Sequence, residues 1–177
     1  MGESSEPFSD EELRLVYQEA DAKSFYDGQV VRFFVKTGIH PSDLGGVGPE
    51  ALTRKPIPGG VALYLRWKRV KNSRTCNVEL SADLEPWIEG FLAVPRARGR
   101  FAWNKRLKRL ELRLRKRGFS FTVNPRWFRH TAALSLKRAG LTDGEIAYRI
   151  GCSIQTLATY CSRPSGQVAA LLKEKGW

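Results

Sequence analysis

The spacing of apolar residues changes twice along the chain, and this change limits the folds that are open to it. The first third has helical spacing, with apolar residues three or four positions apart. From about residue 60 to 80, "GVALYLRWKR" and "TCNVEL" are rich in β-branched and aromatic residues, and "VKNS" between them is typical of a turn. Helical spacing returns at Ser81. The sequence therefore predicts a mainly α-helical α+β domain with one small antiparallel β-hairpin.

Three helices are predicted before the hairpin. Ser9 and Glu12 have the spacing of a capping box, which marks the start of the first helix. The second helix is expected from about Ser24 to Lys36, with Gly38 as its stop, and Pro41 is suited to the first turn of a short third helix.

After the hairpin, Ser81 opens another helix and "PRARGR" forms a loop. A strongly basic helix follows from Trp103 to Lys116, and the final third contains further helices, the last being "GQVAALLKEKGW". We expect residues 1 to 8 to form a disordered tail and residues 9 to 177 to form one domain.

The 177 residues carry a formal net charge of +12, while 42% are hydrophobic, which is enough for a core. Such an excess favours a polyanionic partner, with nucleic acid as the first candidate and an anionic membrane surface as the second. Some basic proteins use the charge only to stay soluble. No apolar run is long enough to cross a bilayer, and the acidic N-terminus resembles neither a signal peptide nor a transit peptide.

The cysteines are Cys76, Cys152 and Cys161, an odd number without a Cys-x-x-Cys pair, and the chain has only two histidines. This pattern argues against a disulfide framework and against a structural zinc site. We therefore expect a reducing, intracellular (cytoplasmic) protein with no metal and no cofactor.

Basic residues dominate from Arg96 to Arg117, where Glu111 is the single acid. One interpretation is the solvated face of a core-packed helix; the interpretation that we favour is a surface that faces DNA phosphates. The predicted DNA-binding residues are Lys68, Arg69, Arg96, Arg98, Arg100, Lys105 and Arg109.

The strip "RWFRHTAALSLKRAG" places Arg126, Arg129 and His130 at the start of an amphipathic helix. Arginine suits a phosphodiester because its forked donors keep their protons and stabilise a five-coordinate transition state. Cleavage without a metal also needs a nucleophile and an acid for the leaving oxygen, and Tyr160 and Lys71 are available for these roles. The alternative is a surface helix whose basic residues contact only solvent.

Four segments follow one another along the chain: "TGIHPSDL", "WKRVKNSRTCNVELS", "RWFRHTAALSLKRAG" and "IGCSIQTLATY". Their order and residues resemble the catalytic domain of tyrosine recombinases, the phage-integrase family. The archaeal integrase-like members are the most similar. The resemblance extends from about Ser9 to the end and implies the tyrosine recombinase catalytic-domain fold. Full recombinases of this family carry an N-terminal helical domain that completes a clamp around double-stranded DNA. We expect this chain to lack that domain, either as a catalytic domain cut from a longer protein or as a naturally minimal one.

The resemblance implies roles for individual residues. Arg129 matches the family's second active-site arginine, Lys71 the hairpin lysine and Tyr160 the nucleophile that forms a 3′-phosphotyrosyl link. Arg126 stands where the family most often has histidine and is expected to contact phosphate. His130 is expected either to contact phosphate or to support the Arg129 segment from a buried position.

Two positions depart from the family's pattern. His40 replaces the first arginine, and Cys152 replaces a histidine or tryptophan in a box that is one residue short before Tyr160. Histidine cannot form a bidentate fork, and the loss of such a donor costs about 3 kcal/mol, roughly a hundredfold in rate. Arg32 or Arg54 is a candidate to fill the gap.

Three functions remain open at this point: a tyrosine recombinase that breaks and rejoins DNA, a weakened or inactive DNA-binding relative, and a helix-turn-helix transcription regulator built on "LTDGEIAYRIGCSIQTLATY". For a recombinase, the family resemblance implies a tetramer on DNA. The C-terminal segment is then either a helix that docks on a neighbouring subunit or a plain terminal helix.

Overall fold

The computed structural model describes residues 8–71, 73–93 and 100–161, without the side chains of residues 100, 101 and 159–161. Within these residues the chain forms eight α-helices and three β-strands, and two 3-10 helices, Pro49–Ala51 and Ala82–Leu84, lie between them. The elements in chain order are α1 (Asp10–Lys23), α2 (Phe25–Thr37), α3 (Pro41–Leu44), β1 (Leu52–Ile57), β2 (Gly60–Lys68), β3 (Thr75–Leu80), α4 (Glu85–Ala93), α5 (Arg100–Lys116), α6 (Pro125–Arg138), α7 (Asp143–Ile150) and α8 (Ile154–Cys161).

The predicted start of α1 and the predicted start and end of α2 are confirmed. The Ser9 hydroxyl accepts from the backbone of Glu12, whose carboxylate accepts from the backbone of Ser9, and this capping box starts α1. Ser24 caps α2 in the same way, through the backbone N–H of Asp27. Gly38 ends α2 with a left-handed backbone (φ 65°). The predicted bounds of α2 are therefore confirmed to within one residue.

The predicted hairpin is confirmed, but it belongs to a three-stranded antiparallel sheet with the order β1-β2-β3. Strand β1 was not predicted, because "LTRKPI" has polar residues and a proline where a buried strand has apolar ones. It lies at the edge of the sheet, where proline is tolerated, and five of its six residues are exposed. Pairing with β2, from Leu52 opposite Leu65 to Ile57 opposite Gly60, defines this strand.

Two groups of buried side chains hold the elements together. The larger packs α1, α2, α4 and α5 against the inner face of the sheet, with Phe33, Phe34, Trp103 and Phe128 among its largest members. The smaller joins α6, α7 and α8; its members are Ala133, Ile146, Ala147, Ile150 and Leu157. Helix α6 contributes to both groups and so connects the two halves of the fold.

Phe8 is buried, although the sequence assigns it to the tail. Its ring lies 5.1 Å from that of Phe128 and 5.4 Å from that of Trp127, measured between centroids. Burying an aromatic ring against two others offsets the entropy of ordering the residue, so the packed domain includes residue 8.

Several basic residues of α5 form ion pairs within the protein. The apolar face predicted for this helix is buried, and its acid, Glu111, is 1% exposed and accepts from Lys108 and from the backbone of Val123. Burial raises the pKa of Glu19 on α1, but hydrogen bonds from Arg113 and Arg117 outweigh it, so the pKa is lowered overall. The two ion pairs of Glu19 therefore fasten the C-terminal end of α5, and the residue after it, to α1.

No helix in the described ranges is long and apolar enough to span a bilayer.

Candidate active site

Arg129 connects three of the four segments on which the family resemblance rests. Asn124 caps α6 and Pro125 occupies its first turn, so Arg129 lies in the second turn. Its guanidinium donates from Nη1 to the carbonyl of Gly38 (2.7 Å) and from Nη2 to the carbonyl of Ile150 (2.6 Å). Gly38 lies beside the His40 segment, and Ile150 begins the segment that leads to Tyr160.

Both carbonyls lie at the C-terminal ends of helices, α2 and α7. Such carbonyls lack a partner within the helix and carry the negative end of the helix dipole, so a cation is favourable there. Arg129 is 2% exposed, and the two bonds occupy one donor on each terminal nitrogen. The structure therefore places the predicted phosphate-binding arginine inside the molecule, holding two helix ends together.

The β2–β3 turn is fastened to α3 by Asp43. This carboxylate is 1% exposed; Oδ1 accepts from the backbone of Val70 (2.9 Å), and Oδ2 lies 3.5 Å from Nε of Arg69. On its other side, Arg69 donates from Nη1 to the carbonyl of Gly151 (2.7 Å). We call the chain of contacts from Asp43 through Arg69 to the carbonyl of Gly151 the Arg69 clasp. It brings the hairpin turn, the His40 segment and the α7–α8 connection together.

Lys71 and Arg126 are the exposed cations predicted for the site. Lys71 lies in the turn two residues after Arg69, and Arg126 lies in the first turn of α6. Both side chains are exposed in the part of the chain that the structure describes, and their roles toward phosphate remain predictions.

His40 caps α3, and this contact defines which ring nitrogen accepts. Nδ1 accepts from the backbone of Ser42 (3.2 Å) and lies 2.8 Å from its hydroxyl. A ring nitrogen that accepts carries no proton, so in this arrangement the neutral imidazole carries its hydrogen on Nε2. His40 therefore has one N–H donor, on Nε2, where the tyrosine recombinase pattern has a forked one.

Two predicted site residues remain, His130 and Tyr160, and the structure describes the side chain of His130 alone. His130 is 2% exposed, and this burial favours the supporting role over direct contact with phosphate. Tyr160 belongs to the last turn of α8, which packs against α6 and α7, but its side chain lies outside the described part. Its role as nucleophile therefore remains a prediction.

Gly151 and Cys152 form a tight connection between α7 and α8. Gly151 has a left-handed backbone (φ 66°), and a Cβ atom there would lie 2.1 Å from Sγ of Cys76 on β3. Burial raises the pKa of the Cys76 thiol to about 11, although Arg129 and Arg69 act in the opposite direction. Cys152 packs against the smaller buried group, so it contributes apolar contact here.

Neither arginine proposed to replace the missing first arginine reaches this region. Arg32 forms a bidentate ion pair with Asp21 (2.6 and 2.7 Å) beside α1. Arg54 on β1 pairs with Glu85 and Glu89. Both side chains are held by acids on other surfaces.

The predicted DNA-binding residues divide into three sets. Lys68, Lys105 and Arg109 are exposed on the surface. Arg69 points inward, and only 14% of its side chain is exposed. Arg96, Arg98 and the side chain of Arg100 lie outside the described residues.

The sequence did not reveal Asp43, nor the inward role of Arg69. The one available signal was an acid inside "TGIHPSDL" in a chain with an excess of basic residues, but its partner lies 26 positions away, and pairing over that distance is invisible to local spacing. No group of three potential metal ligands occurs among the described residues.

The fold is that of the catalytic domain of tyrosine recombinases, as predicted: a helical domain with a small three-stranded antiparallel sheet. Comparison with protein-family models gives no match, and neither does comparison with the sequences of curated proteins. The evidence for this fold comes from solved structures.

XerA recombinase superposes with a TM-score of 0.67 at 17% identity, covering 96% of this chain and 64% of that one. XerH site-specific recombinase, in a post-cleavage complex with a palindromic difH substrate, gives 0.65 at 17% identity, covering 96% of this chain and 54% of that one. The catalytic domain of bacteriophage HP1 integrase gives 0.59 at 16% identity, covering 95% and 94%. This chain therefore spans about half to two thirds of the two Xer recombinases and nearly all of the isolated catalytic domain.

Proposed function

We propose that this chain breaks and rejoins DNA strands through Tyr160. The observation that carries the proposal is the meeting of all four family-like segments: Arg129 bonds the ends of α2 and α7, and the Arg69 clasp joins the hairpin turn to both neighbouring segments. The fold shared with XerH recombinase, which was crystallised on its DNA substrate before and after cleavage, supports it. The same proposal implies that the protein acts inside the cell, where DNA is.

In the proposed reaction, the Tyr160 phenolate attacks the phosphorus of a backbone phosphodiester. A 3′-phosphotyrosyl bond forms as the bond to the 5′-oxygen breaks, and the Lys71 ammonium protonates that oxygen. A 5′-hydroxyl from another strand then attacks the same phosphorus and releases the tyrosine. Arg126 and Nε2 of His40 hold the phosphate oxygens, while the buried charge of Arg129 stabilises the dianionic transition state.

A suicide substrate tests the reaction directly. Nicked duplex DNA that lets the 5′ fragment diffuse away is incubated with the protein, and a covalent adduct is sought on a denaturing gel. We expect an adduct with the wild-type protein and with Tyr148→Phe, a matched control because Tyr148 is an exposed tyrosine on α7. Tyr160→Phe is expected to form none. An adduct that persists in Tyr160→Phe rules out Tyr160 as the nucleophile.

DNA binding without efficient cleavage is a second candidate function. It is favoured because His40 has one N–H donor where a forked donor is expected, and because Cys152, which replaces a histidine or tryptophan, packs against the smaller buried group. His40→Arg tests it. Restoring the fork is expected to raise the rate of adduct formation roughly a hundredfold, whereas His40→Gln, which lacks the forked cation, should not. An adduct seen only in His40→Arg identifies a weakened relative; no adduct in any variant, with salt-sensitive binding, identifies a binding module.

DNA binding itself is measurable through its dependence on salt. Lys105 and Arg109 are exposed on α5, so we propose that they contact phosphates. Each contact that is removed should lower the slope of log K against log salt by about one. Lys105→Gln and Arg109→Gln are therefore expected to reduce the slope, and Glu11→Gln, an exposed position on α1, to leave it unchanged.

Assembly on DNA is also a proposal. The fold is shared with a lambda integrase tetramer bound to a Holliday junction, at 17% identity over 83% of this chain. We propose that this chain likewise forms a tetramer on DNA and that the segment after α8, outside the described residues, supplies the contact. Light scattering with a four-way junction should show four protomers per junction, and deletion of residues 166 to 177 should reduce this to independent binding.

A further inference from the structure

We propose that Arg69 is a positioning residue that couples the Lys71 turn to helix α8, so that the proton donor and the nucleophile are placed together. The inference rests on the proposed function for the roles of Lys71 and Tyr160. The coupling itself rests only on contacts within the protein.

The hairpin end of the coupling is a buried carboxylate. Asp43 is 1% exposed, and its two oxygens contact successive residues of the turn: Oδ1 accepts from the backbone of Val70, and Oδ2 lies near the guanidinium of Arg69. A charge as deeply buried as this one needs a partner of opposite sign, since its desolvation is costly. Arg69 supplies that charge one residue after the end of β2, so the start of the turn is fixed against α3.

The other end of the coupling is the α7–α8 connection. Arg69 donates to the carbonyl of Gly151 (2.7 Å), three residues before the first residue of α8. A second contact reinforces it, because Cys76 on β3 lies so close to Gly151 that no Cβ fits between them. The turn of the hairpin therefore contacts the connection through a side-chain hydrogen bond, and strand β3 contacts it through packing.

Consecutive carbonyls at the end of α7 are bound by different arginines. Arg129 takes that of Ile150, and Arg69 takes that of Gly151. Arg129 joins the connection to α2 and α6, whereas Arg69 joins it to the hairpin. Loss of the Arg69 side chain would therefore remove the hydrogen bond between the hairpin turn and the α7–α8 connection while leaving the Arg129 contacts in place.

Such a coupling matters for the proposed reaction because proton transfer requires hydrogen-bond distance between the donor and the leaving oxygen. A displacement of about 1 Å in a catalytic arrangement can cost about a hundredfold in rate. A turn that moved independently of α8 would place Lys71 correctly only part of the time. The Arg69 clasp removes that freedom.

Hydrogen exchange tests the coupling without any need for activity. Three variants are compared with the wild type: Arg69→Gln, Asp43→Asn, and Arg66→Gln, a matched control that removes an exposed cation from β2. The amides to follow are those of Val70, which bonds Asp43, and of Cys152 and Leu157, which form backbone bonds at the α7–α8 connection.

We expect Arg69→Gln to speed exchange at Cys152 and Leu157 about tenfold, as for the loss of one charge-assisted hydrogen bond. Asp43→Asn is expected to speed exchange at Val70 and also at Cys152 and Leu157, because Arg69 loses its anchor. Arg66→Gln should change none of them. If Asp43→Asn affects Val70 alone, the turn and α8 are independent and the coupling is overturned.

Adduct formation on the nicked substrate gives the functional readout. Arg69→Gln is expected to slow adduct formation at saturating DNA at least tenfold with unchanged affinity and salt slope, and Arg69→Lys, which keeps a charged donor, to recover part of the rate. Lys71→Gln should then cost less in the Arg69→Gln background than in the wild type. A salt slope lowered by about one in Arg69→Gln would instead mean that Arg69 binds phosphate, which overturns the positioning role. If the wild-type protein forms no adduct, the proposed function fails, while hydrogen exchange still decides the coupling.

Discussion

Replacing Gly151 with alanine tests the tightest contact in the candidate site. The added Cβ would lie 2.1 Å from Sγ of Cys76 and 2.9 Å from Cδ of Arg69. The arginine stem is flexible and can move aside, but Cys76, the second residue of β3, is fully buried and has no room to move. Gly151 also has φ 66°, which disfavours any residue with a Cβ.

Gly140 provides a matched control for the backbone contribution. It has φ 91°, and no atom lies within 4 Å of the place that a Cβ would take, so Gly140→Ala carries conformational strain without a clash. We expect about 1 kcal/mol from strain in that variant. Overpacking adds about 1–3 kcal/mol, so Gly151→Ala should lose about 2–4 kcal/mol of the free energy of unfolding.

Urea unfolding followed by tryptophan fluorescence measures the difference. With a slope of about 2 kcal/mol per molar urea, the midpoint of Gly151→Ala should fall about 1 M further than that of Gly140→Ala. Cys76→Ala removes the sulfur, so Gly151→Ala should cost less in that background than alone. Equal losses in Gly151→Ala and Gly140→Ala, with no coupling to Cys76, would refute the close packing of the hairpin on the α7–α8 connection.

Two further predictions concern titratable groups. The pKa of Glu19 is lowered in the folded protein, so its ion pairs stabilise the fold above the ordinary pKa of glutamate, and this stability is lost as the pH falls through the lowered value. Glu19→Gln should therefore cost about 1–2 kcal/mol at pH 7 and progressively less toward pH 3 in urea unfolding, whereas Glu11→Gln, on the exposed face of α1, should cost nothing measurable at either pH. Burial raises the pKa of Cys76 to about 11, so at pH 8 only about one thiol in a thousand is ionised. Iodoacetamide should therefore leave Cys76 unmodified in the native protein and label it within minutes in urea, as measured by mass spectrometry. Labelling that is equally fast in the native protein would contradict the burial of Cys76.

Local patterns in the sequence were sufficient to predict most helices. The capping box at Ser9 and the glycine stop at Gly38 involve residues a few positions apart, and their contacts are those the spacing predicts. Strand β1 could not be found in this way, because its residues are exposed and its identity depends on pairing with β2. An edge strand carries little of the apolar alternation that marks a buried one.

In the candidate site, too, the sequence predicted local features but not contacts between distant residues. The segments that hold Lys71, Arg129 and Tyr160 were identifiable by their order and residue types. The direction of each side chain was not, because the carbonyls that bind Arg129 are 91 and 21 positions away and the one that binds Arg69 is 82 positions away. Arg69 and Arg129 therefore form their contacts inside the protein. A count of basic residues cannot distinguish such arginines from those that face DNA.

The distribution of these arginines also limits what the site can do with a phosphate. Arg69 and Arg129 both bind carbonyls at the end of α7, so a phosphate that recruited either guanidinium would have to compete with a helix terminus for it. In the proposed function the exposed cations Lys71 and Arg126 bind the phosphate, and exposed cations attract a cleavable phosphate no better than any other. Selective stabilisation of a transition state requires donors fixed against the reacting oxygens. The cap on α3 fixes the ring of His40, and under the proposed function His40→Arg is the change that separates a strand-cutting enzyme from a DNA-binding relative.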